Sequence, residues 1–416
     1  MKNYFFYLLL FLLFSNSYSQ KIIAFVRETD HWGIINQNEE KVLNDQYDYL
    51  WAPILNYWEP SPGKSIICYP EEGLFRFREK DRWGFVDISG KVVIEPKYNL
   101  AYDFSEGFAI IVLSGSYGYI DKSGRLISEP KYFGAMDFSE GIGLVCHKNK
   151  WKYIDTAGKF LFDKAFTDAW PFKNGYARVR WQGNWGMIDK NGNWLIQPTY
   201  KSVKDFEEGF AAIEVNGKWG FINTTGKIQA QPQFDDVRDY KEGMAAVYNS
   251  SRWGYIDSSG KIRISLEYKT VHDFKEERAV VYDGNFYGVI DKNGKWVIPL
   301  KYKKITDCVD GFLRIKDDVL WGYARKDGVI LKEPTFENAE DFSEGLARFK
   351  LNNKWTYIDK TGAILLENKL DWAGDFHYGY ARVKEVGQWG YIDKSGNFVI
   401  KPKYRHAEDF ILLTNK

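Results

Sequence analysis

The chain has 416 residues, of which 57 are lysine or arginine and 56 are aspartate or glutamate, so its formal net charge is +1. This balance excludes the basic footprint that nucleic-acid binding requires and leaves no polybasic patch for an acidic membrane surface. Aromatic residues make up 18% of the chain and accompany 37 glycines, a composition that predicts many short strands and many turns.

The first predicted element is a secretory signal peptide. Lys2 precedes an apolar run from Tyr4 to Phe14, and Ser17 and Ser19 have the spacing of a signal-peptidase site. The run is too short for a stable membrane anchor, and the Ser-Tyr-Ser-Gln segment resembles signal peptides of Bacteroidetes-type bacteria. We therefore expect removal of residues 1–19 and export of a periplasmic, cell-surface-associated or secreted protein without a transmembrane anchor.

Residues 20–416 form one array with a 34-residue repeat. An aromatic–Gly pair recurs at this interval, and Lys152 and Thr356 replace the glycine in two units. Counting an earlier pair at Trp32, about eleven units fit. Trp83, Trp185, Trp219, Trp253, Trp321 and Trp389 occupy the tryptophan column; Gly90, Gly124, Gly192, Gly226, Gly260, Gly294 and Gly396 lie seven residues later.

The sequence pattern of each unit predicts three short strands. Glycine and proline at fixed places leave no room for the paired helices of a TPR array, which has the same period. In one unit, Lys218–Asn223 predicts a strand, Gly226–Ile228 its hairpin partner and Gly209–Val215 a third strand. The repeated Asp before the glycine column predicts a turn. The remaining Tyr-x-x-x-x-Asp-Phe-x-Glu-Gly segment is interpreted as a connector.

The two ends of the chain indicate the phase of the unit. The chain after the signal peptide begins with the third-strand motif at Ala24 and Val26 and stops six residues after Phe410. The unit is then a Glu-Gly strand, a Trp-Gly strand, a Gly-Lys strand and a connector. In the first unit, 17 extra residues enlarge the connector at 49–70, which predicts either a cap for the array or a binding loop.

These units are expected to stack on their nearest neighbours. Propellers usually have about four to eight blades of four strands. Eleven three-stranded units therefore favour an open β-superhelix or solenoid, with a large propeller-like ring or a pair of propellers as the alternative. The tryptophan column is expected to pack near the small Ala/Gly column of an adjacent strand, where a large ring finds room. Departures from the pattern predict locally irregular units at Lys152, Lys164, Arg325 and Thr356.

Strings such as Lys218–Ile222 and Gln388–Gly396 resemble the bacterial WG-repeat family, also called the KWG-repeat family. The resemblance covers essentially all of residues 20–416. It implies a β-repeat protein with a binding or scaffolding role. It carries over no catalytic or ligand residues, because the columns shared by the family are structural.

The sequence shows no motif for catalysis, a cofactor or a metal. No two of the five histidines have metal-ligand spacing. The repeated Asp is not accompanied by the closely spaced further acidic residues of a calcium-binding loop. Cys68, Cys146 and Cys308 predict no disulfide framework. We therefore expect a protein that is not an enzyme, with a glycan-active hydrolase that carries carboxylates in its connectors as the alternative.

Comparison of the units separates candidate surface aromatics from the core. Trp194 and Trp296 share an always-apolar column and predict core positions. Five other tryptophans are candidate partner-binding residues because they lie in mostly polar columns or in the enlarged connector: Trp51, Trp58, Trp170, Trp181 and Trp372. The sequence thus predicts an exported, non-enzymatic repeat protein. Its extended surface would bind or scaffold a protein or glycan partner in the cell envelope or outside the cell.

Overall fold

A computed structural model describes residues 21–28, 32–47, 49–51, 65–67, 72–87, 89, 91–366 and 370–413. All regular structure in these ranges is β-strand, which confirms the all-β prediction. The predicted signal peptide, Trp58 and Gly90 lie outside the described residues, and Trp51 is described by its backbone alone.

Eleven small sheets follow one another along the described chain and are numbered here as blades 1 to 11. Blade 1 has Lys21–Arg27, Trp32–Asn36 and Lys41–Tyr47, joined by His406–Ala407 and Ile411–Leu413; blade 2 has Tyr49–Trp51, Ser65–Ile67, Leu74–Glu79, Arg82–Asp87 and Val92–Tyr98; blade 3 has Leu100–Ser105, Phe108–Leu113, Ser116–Asp121 and Leu126–Tyr132; blade 4 has Gly134–Ser139, Ile142–His147 and Lys150–Ile154. Blade 5 has Asp168–Ala169, Tyr176–Trp181, Asn184–Asp189 and Trp194–Tyr200; blade 6 has Ser202–Val203, Phe210–Val215, Lys218–Asn223 and Ile228–Phe234; blade 7 has Asp236–Val237, Met244–Asn249, Arg252–Asp257 and Ile262–Tyr268; blade 8 has Thr270–Val271, Ala279–Tyr282, Tyr287–Ile290 and Trp296–Tyr302. Blade 9 has Lys304–Ile305, Phe312–Lys316, Trp321–Arg325 and Ile330–Phe336; blade 10 has Asn338–Ala339, Leu346–Leu351 and Lys354–Asp359; blade 11 has Trp372–Ala373, Tyr380–Glu385, Gln388–Asp393 and Phe398–Tyr404.

Most blades contain a fourth strand that the three-stranded prediction missed. The connector supplies it, and we call the four strands a, b, c and d in chain order. In blade 7 the a strand pairs Asp236 with Tyr248 and Val237 with Val247 on the b strand. Val237 is buried against blade 6. The connector is therefore a strand in these blades because its apolar residue has a neighbouring sheet to pack on.

Each blade packs both faces against its neighbours. On the b strand of blade 6, Ala211 contacts the apolar side chains of blade 5 and Ala212 contacts those of blade 7. Successive strand residues point to opposite faces. Both faces are therefore buried, which explains why these strands are nearly continuous apolar runs.

The blades form a closed ring, so the prediction of an open superhelix is wrong. Eleven blades in an open array have ten interfaces, whereas the described residues form eleven apolar clusters, each shared by two neighbouring blades. The eleventh joins Ala24 and Val26 of blade 1 to Trp389 and Tyr391 of blade 11.

The chain ends complete blade 1 together. Val26 pairs with Ala407, and Ile23 pairs with Ile411. The first blade receives its b, c and d strands from the start of the chain and its a strand from the end. Closure leaves no blade at the end of an array with an uncovered apolar face. This completion explains why the ring, rather than the open array, is the structure formed.

The glycine of the Trp-Gly pair makes room for the d strand. A Cβ atom on Gly220 would lie 2.4 Å from the carbonyl oxygen of Ala230 and 2.5 Å from the nitrogen of Pro232. Blades 4 and 10 carry Lys152 and Thr356 instead, and their described residues form isolated bridges in place of a d strand. The irregularity predicted at these two residues is confirmed.

The other two predicted irregularities have different outcomes. Lys164 lies in the segment 160–166 that replaces the d strand of blade 4, so irregular structure there is confirmed. Arg325 ends the c strand of blade 9, which keeps all four strands, so the prediction of irregular structure at Arg325 is wrong.

The tryptophan column packs near the small column of the next blade, as predicted. Trp83 shares an apolar cluster with Ala109, Trp355 with Ala381 and Trp389 with Ala24. Within its own blade the tryptophan faces other residues, since Trp219 lies opposite Glu214 on the b strand and Phe234 on the d strand. Lys204 lies over the partly buried Trp219 ring.

Candidate binding surface

A cation links most blades to the next one. Arg178 of blade 5 lies 2.5 Å from the Asp205 carboxylate and donates to the Val203 carbonyl at 3.3 Å, both on blade 6. The same b-strand position supplies four further arginine–aspartate pairs: Arg76–Asp103, Arg314–Asp341, Arg348–Asp375 and Arg382–Asp409. The repeated pair is thus a structural contact between blades.

In blades 6 to 8 the cation comes from the residue directly after the two-residue a strand, a place in the repeat that we call the a-strand position. Ala212, Ala246 and Val280 occupy the b-strand position there. Lys204 donates to the Val237 carbonyl at 3.0 Å and Arg238 donates to the Val271 carbonyl at 2.7 Å. In blade 8, His272 Nδ1 lies 2.5 Å from Asp307 Oδ1. A positively charged or protonatable group is therefore present at each of these contacts between neighbouring blades, which we call seams. Only its position within the repeat changes.

Blades 3 and 4 carry a cation at neither position. The a-strand position holds Tyr102 and Met136, and the b-strand position holds Ile110 and Leu144. In blade 5 the a-strand position holds Trp170 beside Arg178. Blades 3 and 4 thus lack the cation at both positions, and in blade 5 the uncharged Trp170 lies beside the remaining Arg178.

We call this surface the aromatic arc and define it as Tyr102, Tyr117, Met136, Trp151 and Trp170. Tyr102 is 40% exposed and Trp170 is 45% exposed, and the other three are half-buried. In six other units a lysine or arginine lies over the ring of the tryptophan column, at Trp83, Trp219, Trp253, Trp321, Trp355 and Trp389. Among the described residues of this column, the rings of Tyr117, Trp151, Trp185 and Tyr287 have no such cover.

Charges next to the aromatic arc are compensated within the protein. Arg76 lies 2.6 Å from Asp103, and Arg178 is bound to Asp205. Burial and the neighbouring Tyr117 raise the pKa of Tyr102, so its phenol is neutral near pH 7. The arc is therefore an uncharged aromatic surface framed by ion pairs.

Of the candidate tryptophans with described side chains, Trp170 is the most accessible. The Arg178 guanidinium lies 4.8 Å from the Trp170 ring centroid, which covers one face and leaves the exposed remainder of the ring to solvent. Two guanidinium groups lie over the half-buried Trp372 ring, Arg348 at 5.1 Å and Arg382 at 5.0 Å from its centroid.

Trp181 and Trp194 pack together at the seam of blades 4 and 5, with ring centroids 6.4 Å apart, and both are half-buried. Trp296 is 41% exposed, so its predicted core position is wrong. It lies at the start of a d strand, where Leu126 and Ile262 of the same column are also exposed. An apolar column at this place in the blade is a surface feature.

The repeated Asp is occupied by its turn. Asp257 Oδ1 accepts from the Ser259 and Lys261 N–H groups at 2.9 and 3.3 Å, and Asn223 makes the same two contacts in blade 6. The column glycine that follows has a positive φ, as at Gly124, Gly192, Gly226, Gly260, Gly294 and Gly396. This geometry agrees with the turn interpretation.

Sequence reasoning missed Tyr102 and Met136. Both share the column of Trp170, whose members Lys204, Arg238 and Glu340 give it a mostly polar character. A comparison extended toward the N-terminal blades would have found a run of three uncharged residues. What the column could not show is the b-strand partner, because the pairing of charges becomes visible only across the seam.

Other reactive groups in the described chain are dispersed. Burial raises the pKa of Cys308 to about 12, and Cys146 lies elsewhere in blade 4. In the described residues, no group of His, Cys, Asp or Glu side chains has the arrangement of a metal site. No helix in those ranges has the length and apolarity to span a membrane.

The chain resembles several solved structures at low identity. A eukaryotic initiation factor is 13% identical, with a TM-score of 0.39, over 83% of this chain and 95% of that chain. The extracellular domain of a putative hybrid two-component system from B. thetaiotaomicron is 8% identical, with a TM-score of 0.23, over 95% of this chain and 71% of that chain. PorZ, a surface component of the type-IX secretion system of Porphyromonas gingivalis, is 10% identical, with a TM-score of 0.23, over 78% of this chain and 57% of that chain.

The sequence of the repeat shows which family the chain belongs to. No curated protein matches the chain, whereas the model of the WG containing repeat matches ten consecutive segments within residues 83–411. The Trp-Gly column, the turn Asp and the positive-φ glycine of these segments are the positions that build each blade. The chain therefore belongs to the WG-repeat family, as the resemblance of its repeated strings predicted.

Proposed function

We propose that this WG-repeat ring is an exported, non-enzymatic binding protein whose aromatic arc takes a glycan. The observation that carries the proposal is the exposed ring of Trp170, placed where the charged contacts between blades give way to aromatic side chains. The signal-peptide pattern of residues 1–19 supports export to the periplasm, the cell surface or the exterior.

A rigid aromatic platform suits the apolar face of a sugar ring. Arg178 rests against Trp170 and is itself held by Asp205, so the indole loses little conformational freedom when a ligand binds. A preordered surface retains more of its contact energy as affinity. Indole also combines a large apolar area with one hydrogen-bond donor. These properties favour a glycan over a charged ligand.

The first test is co-sedimentation of residues 20–416 with insoluble polysaccharides and peptidoglycan. We expect retention on at least one material and its loss in Trp170→Ala. Trp296→Ala is the matched control, because its indole is about as exposed but lies outside the arc. Retention that is unchanged in Trp170→Ala would remove the arc from the proposal.

The same assay separates the other functions. Soluble sugar released from the bound material would favour the glycan-active hydrolase over the binding protein. No retention on any material would overturn the glycan proposal, and the partner would then be sought among proteins of an envelope extract.

A further inference from the structure

We infer that the ligand of the aromatic arc is an extended, uncharged glycan chain lying across the seams of blades 3 to 5, rather than a single terminal sugar. This inference rests on the proposed function and adds the form and charge of the ligand. The three a-strand residues of the arc, Tyr102, Met136 and Trp170, carry it.

The length of the arc indicates a polymer. Tyr102, Met136 and Trp170 occupy the same position in three consecutive blades, spaced by 34 residues. Packed sheets lie about 10 Å apart, so Tyr102 and Trp170 are separated by roughly 20 Å. A single sugar ring cannot contact both ends of such a surface, whereas a chain of several rings can.

The charges that frame the arc favour an uncharged ligand over a polyanion. The arginines at the two ends of the arc, Arg76 and Arg178, already bind Asp103 and Asp205. In blade 5, Pro171 replaces the aspartate of the repeat. The exposed Asp137 follows Met136 directly, and its carboxylate disfavours an anionic chain. The two arginines nearest the arc are thus already neutralised by aspartates of the protein.

The arc also has defined limits. On one side, the Arg76 guanidinium lies over the Trp83 ring with 5.6 Å between its carbon and the centroid. On the other side, Lys204 and Arg238 cover Trp219 and Trp253. The column rings Trp83, Trp219 and Trp253 are therefore already covered by cations of the protein. A chain that extends along the seams past the arc would meet these covered rings.

The experiment is calorimetric titration of residues 20–416 with oligosaccharides, from dimer to octamer, of the neutral polysaccharide that retains the protein. We expect the affinity to rise with length and then level off once the arc is spanned. Trp170→Ala should weaken the binding of every length by roughly tenfold or more. Tyr102→Ala should weaken only the longer oligosaccharides, and Trp296→Ala should leave the series unchanged.

The outcomes separate the inference from the proposed function. If dimer and octamer bind equally, or Tyr102→Ala has no effect at any length, the extended chain is overturned while a Trp170-dependent glycan site stands. If an acidic polysaccharide of similar length binds more tightly than the neutral one, the uncharged ligand is overturned. If no glycan retains the protein, the proposed function itself fails. Thermal unfolding of each variant verifies that it is folded.

Discussion

At the residue scale, the presence or absence of one Cβ atom decides whether a unit can form its d strand. Glycine is required in the Trp-Gly column because the d-strand backbone passes close to it. A Cβ atom would meet main-chain atoms at Gly84, Gly220 and Gly390. Side chains could move away from a methyl group at low cost, but paired backbone cannot. In the part of the chain that the structure describes, the two units without this glycine show no regular d strand.

Gly220→Ala is therefore expected to destabilise the protein by about 2–3 kcal/mol, because the d strand of blade 6 must shift. The measurement is the free energy of unfolding in denaturant. Gly107→Ala is the control: its φ is +86° but its Cβ would meet open space, so only the left-handed backbone costs energy, about 1 kcal/mol. Equal losses in both variants would contradict the backbone clash.

The turn aspartates predict a loss of stability in acid. In Asp257, the Ser259 hydroxyl outweighs burial and, with the backbone N–H groups, lowers the pKa. The pKa values of Asp121, Asp189 and Asp359 are also lowered. Since these values lie below 3.8 in the folded state, their stabilisation is present above about pH 4 and is lost as the pH falls through them.

Replacing these four residues with asparagine should flatten the acid limb of a thermal-unfolding profile between about pH 5 and pH 2.5. Asn223 already forms the same turn, so the variant should unfold near the wild-type temperature at pH 7. An acid limb as steep as that of the wild type would show that other groups cause the loss.

A carboxylate clamp links neighbouring blades at the element scale. Glu344 accepts from the Tyr378 and Gly379 N–H groups at 2.6 and 2.9 Å, and Lys394 Nζ lies 3.0 Å away. Burial opposes the charge, yet these contacts lower the pKa of Glu344. Similar contacts recur at several seams through Glu106, Glu140, Glu208 and Glu242.

Glu344→Gln should lower the free energy of unfolding by about 1–2 kcal/mol, because the amide keeps one acceptor and loses the charge. Chemical denaturation provides the measurement. The exposed Glu95→Gln is the comparison and should be close to neutral. A neutral result at position 344 would show that the clamp does not stabilise the seam.

The seam of blades 5 and 6 lacks the glutamate of the clamp, so the clamp can be introduced there by substitution. Asn174 occupies the clamp position, and its amide donates to the Phe206 carbonyl at 2.9 Å. Asn174→Glu is expected to reach the Glu208 and Gly209 N–H groups and raise the melting temperature by about 1–2 °C. Asn174→Gln controls for length without charge. A melting temperature no higher than that of the glutamine variant would argue against the clamp at this seam.

The sequence predicted the b and c strands and the first part of the d strand, because strand residues and turn residues alternate in every unit. It missed the a strand, whose regular part is two residues long in most blades. The column through Val203, Val237, Val271 and Ile305 was the available signal, since all four are apolar and buried. The aromatic arc was half predicted, through Trp170, because its other members are not tryptophans.

Closure is the main property at the scale of the whole molecule. The phase of the array was visible in the sequence, because its first repeat motif is a b strand, Lys21–Arg27, and its last connector supplies an a strand, His406–Ala407. Two incomplete ends of this kind are complementary, and together they make one blade. What the sequence could not show is that the accumulated rotation of the blades brings the ends together.

The enlarged connector of the first unit joins blade 2 in part. Tyr49–Trp51 runs parallel to Ser65–Ile67, which pairs with the b strand of that blade. These segments extend the blade 2 sheet to five strands. Because the ring has no free end, a cap has nothing to cover. The choice between a cap and a binding loop therefore shifts toward the loop, although most of 49–70 lies outside the described residues.

Cross-linking of the closing strands tests the ring most directly. Arg27 and His406 are paired partners, so Arg27→Cys/His406→Cys, in a background where Cys68, Cys146 and Cys308 are alanine, is expected to form an intramolecular disulfide in the monomer. Arg27→Cys/Lys204→Cys, with its second cysteine on distant blade 6, should not. A monomer that leaves the 27–406 pair reduced under oxidising conditions would contradict the closed eleven-blade ring.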